Sequence, residues 1–307
     1  MTGSLEGVVV EKSRRHLRVD TPSGVFSCSL RGKLREHGSG RSTVVVGDRV
    51  RISSTGAGEG VLESVLPRRT ELLRGTGGGR VNVVAANLDQ LLVVIAAKDP
   101  PPRWSLVDRM LAYAHRDELE PGICLNKWDQ VRDDAAAARA LAEIFEIYRG
   151  LGYPVFRTVV RDGEGVGAIR DWLRDRATAV SGHSGVGKST LLNALDPALD
   201  LRTARVSDVT GKGRHTTTAV SLLRMPFGGY VADTPGFRSF ALTGMKRSDL
   251  GKYFPEFRPF RSRCRFSDCL CRGEPGCAVR AAVESGIITK FRYNNYLQIL
   301  DSFEDEA

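Results

Sequence analysis

Apolar positions in the first 66 residues recur in short runs that turn-forming residues separate. The runs cover Leu5–Val10, His16–Asp20, Val25–Leu30, Val44–Ile52 and Val61–Leu66. The turn-forming segments between them are Pro22-Ser23-Gly24, Gly38-Ser39-Gly40 and Gly56–Gly60. Short strands at such close spacing predict a small barrel of the OB type, a fold whose surface commonly binds oligonucleotides.

Beyond residue 80 the pattern changes, because longer apolar runs alternate with amphipathic stretches of helical period. The predicted strands are Leu91–Ala97, Ile123–Leu125, Pro154–Val160, Ala177–Val180 and Tyr230–Ala232. The predicted helices are Leu106–His115, Asp133–Arg149, Val166–Arg174 and one that begins over Lys188–Leu195. This alternation predicts a parallel sheet with helices on both faces and ligands at the carboxyl ends of the strands. The polar, glycine-rich segment Arg74–Arg80 in front of it is predicted to be a linker.

The segment Val180–Thr190 reads V-S-G-H-S-G-V-G-K-S-T and contains the spacing G-x-x-x-x-G-K-S between a predicted strand and a predicted helix. In such a loop, backbone N–H groups surround a diphosphate and the helix N-terminus adds positive potential. The lysine reaches the β- and γ-phosphates, and the serine hydroxyl ligates Mg²⁺. The sequence therefore predicts a nucleoside triphosphate site rather than an ordinary glycine-rich turn. Its predicted residues are Gly182, His183, Ser184, Gly185, Val186, Gly187, Lys188, Ser189 and Thr190.

The tetrad Asn126-Lys127-Trp128-Asp129 has the form N-K-x-D and follows a predicted strand. A carboxylate at Asp129 accepts hydrogen bonds from N1–H and the exocyclic amine of guanine, and adenine has neither donor on that edge. We expect Asn126 to contact the purine edge and the stem of Lys127 to pack along the ring. Beside a phosphate loop, the tetrad predicts recognition of guanine.

Two further segments carry groups for Mg²⁺ and the γ-phosphate. The polar stretch Val209–Thr218 resembles a GTPase switch, and we expect Thr217 to ligate Mg²⁺ together with Ser189, with the neighbouring Thr216 and Thr218 as alternatives. The tetrad Asp233-Thr234-Pro235-Gly236 follows a predicted strand. Its aspartate, Asp233, is suited to the Mg²⁺ shell, and the N–H of Gly236 to the γ-phosphate.

The order of these motifs differs from the usual GTPase order, in which N-K-x-D comes last. Here N-K-x-D comes first, at residue 126, and D-T-P-G comes last, at residue 233. Cutting and rejoining one sheet elsewhere produces this order without changing the site, so the domain is predicted to be circularly permuted.

The residue after D-T-P-G is Phe237, where a Ras-like site has the glutamine that orients the attacking water. A phenyl ring forms no such hydrogen bond, so another group must position the water. His215 is the predicted catalytic residue, because imidazole both accepts from and donates to water. His183, inside the phosphate loop, is the alternative.

Four cysteines lie within fourteen residues of the C-terminal region, with the spacing C-x4-C-x-C-x5-C. They are Cys264, Cys269, Cys271 and Cys277. Four thiolates fit a closed tetrahedral Zn²⁺ site, and disulfide pairing is the alternative. Arginines surround them, which makes this segment a candidate RNA contact. Helices are predicted over Val279–Glu284 and Thr289–Leu300.

The composition of the chain indicates the kind of partner it binds and the compartment in which it works. The 307 residues include 45 Lys and Arg against 36 Asp and Glu, a net charge of +9, which indicates an anionic partner such as RNA. Basic residues of the predicted barrel are Arg31, Lys33, Arg35, Arg41, Arg49 and Arg51. No apolar run is long enough to span a membrane, and the N-terminus lacks the apolar run of a signal peptide. Together with six cysteines, these features predict a cytoplasmic protein in a reducing compartment.

Nearly the whole chain resembles the ribosome small-subunit-dependent GTPase A (RsgA) family of circularly permuted GTPases. The resemblance covers the motifs above and also L-R-G-K-L (30–34), V-G-D-R-V (46–50), A-N-L-D-Q (86–90) and the cysteine segment 264–279. It implies an OB barrel, a permuted α/β P-loop GTPase domain and a C-terminal α-helical zinc domain. We assign these to residues 1–68, 81–245 and 246–307, with a linker over 69–80.

The resemblance also implies an activity and partners. It implies hydrolysis of GTP to GDP, with Mg²⁺, stimulated by the 30S ribosomal subunit during late maturation, so that the protein acts as an assembly checkpoint. The implied partners are the 30S subunit and its 16S rRNA, with one Zn²⁺ per chain, no membrane and a monomeric state. Two departures from the family pattern matter: Cys271 replaces a histidine ligand, and Thr158-Val159-Val160 replaces a Ser-Ala segment behind guanine.

Two other classes of function fit parts of the sequence. A non-catalytic, GTP-responsive RNA-binding module would keep the same binding residues and hydrolyse nothing. A small-molecule or nucleotide kinase would use the phosphate loop, but N-K-x-D and the cysteine cluster argue against it.

Overall fold

The computed structural model describes residues 4–13, 16–30, 44–75, 81–201, 220–233 and 245–303. Within these residues no helix has both the length and the apolar character needed to cross a membrane.

The N-terminal strands close into a barrel in the order β1-β2-β3-β5-β4, which confirms the predicted fold of this region. Its strands are β1 (Ser4–Lys12), β2 (Leu17–Thr21), β3 (Gly24–Leu30), β4 (Arg49–Gly56) and β5 (Glu59–Val65). Strands β3 and β5 pair in parallel, and β1 closes the barrel by pairing antiparallel with β4. Alternate residues such as Val19, Ile52 and Leu62 are completely buried inside it, as the period of a half-buried strand requires.

The fourth strand begins at Arg49 rather than at the predicted Val44. The preceding residues form a turn, in which the backbone N–H of Val45 donates to Asp48 Oδ2 at 2.7 Å. Gly47 adopts a φ of 88°, and a Cβ there would lie 2.0 Å from the carbonyl oxygen of Ala86. Only glycine fits this close approach, so the V-G-D turn is where the barrel meets the rest of the chain.

A hairpin that sequence patterning did not predict joins the barrel to the central sheet. It consists of β6 (Glu71–Gly75) and β7 (Val81–Ala86), which pair antiparallel, so part of the segment assigned to a linker is a strand. Arg68 secures this joint, because its Nε and Nη2 donate to Asp48 Oδ1 and Oδ2 at 2.7 and 2.9 Å. The side chain of Asn87 adds a hydrogen bond to the Gly47 carbonyl at 2.9 Å.

The central sheet has six strands in the order β10-β9-β8-β11-β13-β12. They are β8 (Gln90–Ala96), β9 (Glu120–Asn126), β10 (Val155–Arg157), β11 (Ala177–Ser181), β12 (Ser221–Arg224) and β13 (Tyr230–Asp233). All neighbours are parallel except β12, which pairs antiparallel with β13. The short strand β12 was not predicted, because four residues carry too little alternation to be recognised.

Helices cover both faces of this sheet, as predicted. They are α1 (Trp104–Arg116), α2 (Ala135–Gly150), α3 (Val166–Leu173) and α4 (Lys188–Leu195). Neighbouring residues of β8 point to opposite faces, so that Val93 packs in the cluster of α1 and α2, and Leu92 in the cluster of α3 and α4. The continuous apolar run of β8 is therefore explained by burial on both sides.

The C-terminal region is helical and docks on α1. Its helices are α5 (Arg258–Arg261), α6 (Ala278–Glu284) and α7 (Lys290–Asp301). Arg292 of α7 is 1% exposed and pairs with both Asp108 of α1 and Glu256, whose Oε1 lies 2.7 Å from Arg292 Nε. Asp108 also accepts hydrogen bonds from Tyr148 and Asn295, each at 2.7 Å. The three charges of this network, Arg292, Asp108 and Glu256, all have partners, so the network holds the region on the sheet domain in one orientation.

Candidate nucleotide site and metal centre

The phosphate loop connects β11 to α4 at the carboxyl edge of the sheet. Gly182, Gly185 and Gly187 all have positive φ, of 150°, 83° and 94°. A Cβ at Gly182 would lie 2.1 Å from the Val94 carbonyl oxygen, and one at Gly187 would lie 2.3 Å from Asn126 Nδ2. Two of the glycines are thus required by neighbouring atoms as well as by their backbone conformation.

Lys188 lies over this loop at the first turn of α4. Its ammonium donates to the carbonyl oxygens of Gly182 and His183 at 2.7 and 2.8 Å. Ser189 follows it on the helix and is partly exposed. The His183 side chain is exposed and its Nδ1 lies 3.0 Å from the Ser184 carbonyl oxygen, so it runs along the outside of the loop.

Asn126, at the end of β9, links the N-K-x-D tetrad to the phosphate loop. Its amide nitrogen donates to the Val186 carbonyl oxygen at 2.9 Å, and its Oδ1 accepts from the Thr158 hydroxyl at 3.0 Å. Asn126 is 3% exposed and Thr158 is completely buried. The side chain expected on the purine edge thus braces the loop that holds phosphates. Sequence reasoning missed the Thr158 hydroxyl, whose only signal was its position after β10.

The other two predicted base-recognition side chains lie at the open edge of the same site. Lys127 has a φ of 59°, and its ammonium donates to the Asp99 carbonyl oxygen at 2.7 Å. Asp129 lies on a single helical turn, with 26% of its side chain exposed, and Arg161 Nη2 is 3.7 Å from its Oδ2. Sequence reasoning missed Arg161, because it lies 32 positions along the chain from Asp129.

The segment Thr158–Val160 follows β10 and borders this edge. The Thr158 N–H donates to the Leu125 carbonyl oxygen at 2.9 Å, and the Thr158 carbonyl oxygen accepts from the Trp128 N–H at 3.1 Å. These bonds tie the end of β10 to both the end of β9 and the N-K-x-D turn. The base and phosphate elements therefore form one connected unit.

Several predicted site residues lie outside the described residues. They are His215, Thr217 and Gly236, together with the alternatives Thr216 and Thr218 and the residue Phe237. The backbone of Asp233 is described, as the last residue of β13, at the same edge of the sheet as the phosphate loop. In the barrel, the basic residues Arg31, Lys33, Arg35 and Arg41 also lie outside.

The four C-terminal cysteines form one cluster, in which all Sγ atoms lie within 4.8 Å of one another. All six cysteines of the chain are described, and each is a free thiol rather than half of a disulfide. Cys271 reaches the cluster with a φ of 55°. Its Sγ is 3.7 Å from Arg261 Nη1, and the N–H of Cys271 donates to Cys269 Sγ at 3.4 Å.

The chemistry of this cluster fits a bound cation. Burial raises the pKa of Cys269 to about 12, despite a backbone hydrogen bond that opposes the shift. Burial also raises the pKa of Cys271, and the neighbouring thiolates Cys277 and Cys269 raise it further. Four thiolates at this spacing repel one another, and a divalent metal ion supplies the charge that holds them ionised. The donor set is that of a structural tetrahedral Zn²⁺ site.

Surrounding groups fix the loops that carry the cysteines. Glu274 accepts backbone hydrogen bonds from Leu270, Arg272 and Gly273 at 2.8 to 3.1 Å. Burial alone would raise the pKa of Glu274, but backbone hydrogen bonds outweigh it and lower the pKa to about 2. Tyr293 of α7 donates to the Cys271 carbonyl oxygen at 2.7 Å. The cluster is thereby attached to the helix that docks on α1.

Comparison with known proteins identifies the family. A sequence model described as "RsgA GTPase" matches residues 65–243, and one described as "RsgA N-terminal domain" matches residues 6–62. The chain belongs to the RsgA GTPase family. A relative from Gemmatimonas aurantiaca, named "Small ribosomal subunit biogenesis GTPase RsgA", is 45% identical over 306 residues, or 98% of each chain. A relative of the same name from Moorella thermoacetica is 41% identical over 296 residues, or 96% of each chain.

Two solved structures agree with this fold. YjeQ from Thermotoga maritima is 35% identical and superimposes with a TM-score of 0.82 over 98% of each chain. YloQ, described as a circularly permuted GTPase, is 31% identical with a TM-score of 0.79, over 99% of this chain and 96% of its own. The order of the motifs in this chain, with N-K-x-D before the phosphate loop, matches that description.

Proposed function

We propose that this chain is a GTPase that binds the 30S ribosomal subunit and hydrolyses GTP during its late maturation, as an assembly checkpoint. The observation that carries the proposal is the 2.9 Å bond from Asn126 of N-K-x-D to the Val186 carbonyl oxygen of the phosphate loop. It joins an element suited to guanine and one suited to phosphates at the same edge of one sheet. The printed name shared by the relatives supports the ribosomal part of the proposal.

In this proposal the site residues have the following roles, and two of them, Thr217 and Gly236, lie outside the described residues. Backbone N–H groups of residues 182–187 and the Lys188 ammonium hold the phosphates. Asp129 reads the guanine edge from the partly exposed turn after β9, with Lys127 beside the ring. Bound Mg²⁺ neutralises charge on the phosphates, and Ser189, Thr217 and Asp233 are the residues proposed to hold it. Gly236 is proposed to meet the γ-phosphate.

We further propose that His215 positions the attacking water and that the small subunit stimulates the reaction. Phe237 follows D-T-P-G and has no group that binds water, which accounts for a requirement for a partner. His183 is the weaker candidate, because its side chain lies along the outside of the phosphate loop. The chemistry of the imidazole side chain supports this role for His215, and measuring the GTP turnover of His215 and His183 variants tests it.

The cysteine cluster is proposed to bind one Zn²⁺ per chain, through Cys264, Cys269, Cys271 and Cys277. The metal would act structurally, because four protein ligands leave no open position for a substrate. Its contribution would be to fold the loops that lie against α7. A tyrosine of α7 already reaches the Cys271 carbonyl, so metal binding and docking of the C-terminal region are expected to support each other.

Exposed arginines on the barrel and on the cysteine loops are the proposed contacts with 16S rRNA. Arg49 and Arg51 of β4 have 56% and 54% of their side chains exposed. On the cysteine loops, the Arg265 guanidinium stacks 5.5 Å from the ring of Phe266, which is 41% exposed. Arginine and an exposed aromatic ring bind phosphates and unpaired bases, respectively. We propose a cytoplasmic monomer that makes these contacts on the ribosomal subunit.

The experiment that tests the proposal is GTP turnover by the purified chain alone, with 30S subunits and with 50S subunits. We expect slow turnover alone, stimulation by 30S subunits and little effect of 50S subunits. Binding of GTP with no turnover under any condition would instead support a non-catalytic RNA-binding module. Transfer of the γ-phosphate to an added acceptor rather than to water would support a kinase.

A further inference from the structure

The barrel meets the sheet domain at a second place, around the buried carboxylate of Asp20 in β2. Asp20 is 4% exposed and accepts from Arg224 Nη1, at 3.1 and 3.3 Å from its two oxygens, and from the Tyr230 hydroxyl at 2.7 Å. Burial and the hydrogen bond to Asp20 raise the pKa of Tyr230 to about 12, so the hydroxyl remains a donor at neutral pH. One carboxylate of the barrel therefore holds two side chains of the other domain through charge-assisted hydrogen bonds.

The two side chains belong to the strands that border the switch motifs. Arg224 is the last residue of β12, which begins at Ser221, three positions after Thr218. Tyr230 is the first residue of β13, which ends at Asp233, the first residue of D-T-P-G. Arg224 and Tyr230 are direct partners in the antiparallel ladder between these strands. Asp20 thus contacts the end of the β12–β13 hairpin that carries its turn. The other end of this hairpin continues into the threonine-rich segment before β12 and into D-T-P-G after β13.

Clefts lie on both sides of this polar contact, and β1 packs along β12 beside it. One cleft, of about 620 Å³, separates β1–β3 from β12, and another, of about 350 Å³, lies between β1, β2 and the start of β13. Asp20 and Arg224 line both clefts. A polar bridge between two solvent clefts changes its geometry at lower cost than a closely packed interface does.

We propose that Asp20 is a positioning residue through which the barrel and the nucleotide site influence each other. The bound nucleotide biases the β12–β13 hairpin, and the hairpin changes how Arg224 and Tyr230 hold the barrel. Coupling of this kind is reciprocal, so RNA on the barrel changes the relative affinity for GTP and GDP by the same factor. The inference rests on the proposed function, since it requires guanine nucleotides in the site and RNA on the barrel.

The test compares the affinity for 30S subunits in the presence of a non-hydrolysable GTP analogue with that in GDP. In the wild type we expect the two affinities to differ by about 5- to 150-fold, the usual range of coupling between sites. Asp20→Asn removes the ion pair with Arg224, and it should reduce the ratio of the two affinities to about a third of the wild-type ratio or less. Tyr230→Phe, which deletes a single oxygen atom, should reduce it too and should add little to Asp20→Asn in the double variant.

Glu6→Gln is the matched control. Glu6 lines one of the two clefts but pairs with Arg49 and Arg51 inside the barrel, so its loss should leave the ratio unchanged. A second readout needs no ribosome: the distance between spin labels at Glu59→Cys in the barrel and Asp171→Cys in the sheet domain. That distance distribution should differ between the two nucleotides in the wild type and become the same in Tyr230→Phe.

The outcomes separate this inference from the proposed function. An unchanged ratio in both Asp20→Asn and Tyr230→Phe, or equal affinities in the wild type, would overturn the coupling. A lower melting temperature with an unchanged ratio would show a purely structural role and would overturn it as well. Turnover of GTP on 30S subunits is measured separately, and only its absence would refute the proposed function.

Discussion

Replacing Arg292 with alanine leaves the carboxylates of Asp108 and Glu256 between α7 and α1 without the guanidinium that pairs with both. The side chain of Asp108 is completely buried, that of Arg292 is 2% exposed and that of Glu256 is 9% exposed. Removing one partner of a buried ion pair costs about 3–5 kcal/mol, because the remaining charge has lost its compensation. The stacking of the guanidinium over Phe254, at 4.7 Å, is lost as well.

A loss of about 4 kcal/mol would raise the population of molecules with α7 undocked by about a thousandfold. Hydrogen exchange of the backbone amides in α7, followed by mass spectrometry, measures this population directly. We expect protection of α7 to fall by two to three orders of magnitude in Arg292→Ala, and protection of the barrel strands to stay unchanged.

Arg280→Ala serves as the control on the same C-terminal region. Arg280 is 52% exposed and pairs with Glu284 one helical turn away, at 2.9 Å, so its loss should cost less than about 0.5 kcal/mol. A third variant, Arg292→Met with Asp108→Asn and Glu256→Gln, removes the charges together, keeps an acceptor for Tyr148 and Asn295, and should recover part of the protection. Protection of α7 in Arg292→Ala within about threefold of the wild type would refute the assignment of docking to this network.

Four further outcomes follow from the site and its surroundings. Asp129→Asn should lower GTP affinity and increase affinity for xanthosine triphosphate, since xanthine has a carbonyl where guanine has its amine; unchanged GTP binding would contradict the role of Asp129. Cys277→Ser should lose zinc, measured by elemental analysis in reducing buffer, and full occupancy would count against the cluster. His215→Ala should keep GTP binding and 30S association but lose most of the turnover that 30S subunits stimulate. Turnover at the wild-type rate on 30S subunits would exclude His215 as the residue that positions the water. Burial and the charges of Arg258 and Arg292 lower the pKa of His115 to about 4, although Glu256 opposes the shift. As the pH falls, His115 is therefore protonated in the unfolded chain before it is protonated in the folded one. The full shift corresponds to about 3 kcal/mol, which solvent screening of the partly exposed ring should reduce to about 2 kcal/mol. Stability should therefore fall by that amount as the pH drops from about 6.5 to 4, a loss that His115→Gln, tested by urea titration, should remove.

Sequence patterning predicted the elements whose signals are local. The buried strand β8 and helix α4 came within a residue of their observed bounds, because a continuous apolar run and a G-K-S sequence mark them directly. The hairpin β6–β7 and the strand β12 were missed. These residues form strands because they pair with a partner strand, and the local sequence does not show which strand that is.

The contacts that Asn126 makes within the protein could not be predicted for the same reason, and its contact with the base stays a prediction. Its residue type and spacing indicated contact with the base, whereas its partners, Val186 and Thr158, lie 60 and 32 positions away. Arg292 is the clearest case of a misleading residue type, because an isolated arginine on a helix is usually exposed. Only the fold brings Asp108, 184 positions away, to it.

The two flanking regions are attached to the nucleotide-binding domain in physically different ways. The C-terminal region is fixed by a buried network in which Arg292, Asp108 and Glu256 have their charges paired, so movement there would break several strong interactions at once. The barrel is fixed to its own hairpin through Asp48 and Arg68, and it meets the β12–β13 strands along β1 and through the polar contact of Asp20, which two clefts flank. Because the contact with Asp20 includes an exposed arginine and is flanked by clefts, a change in β12 and β13 should meet less resistance toward the barrel than toward the C-terminal region. The barrel is accordingly the part whose orientation should follow the nucleotide, with the cysteine cluster remaining a fixed extension of the sheet domain.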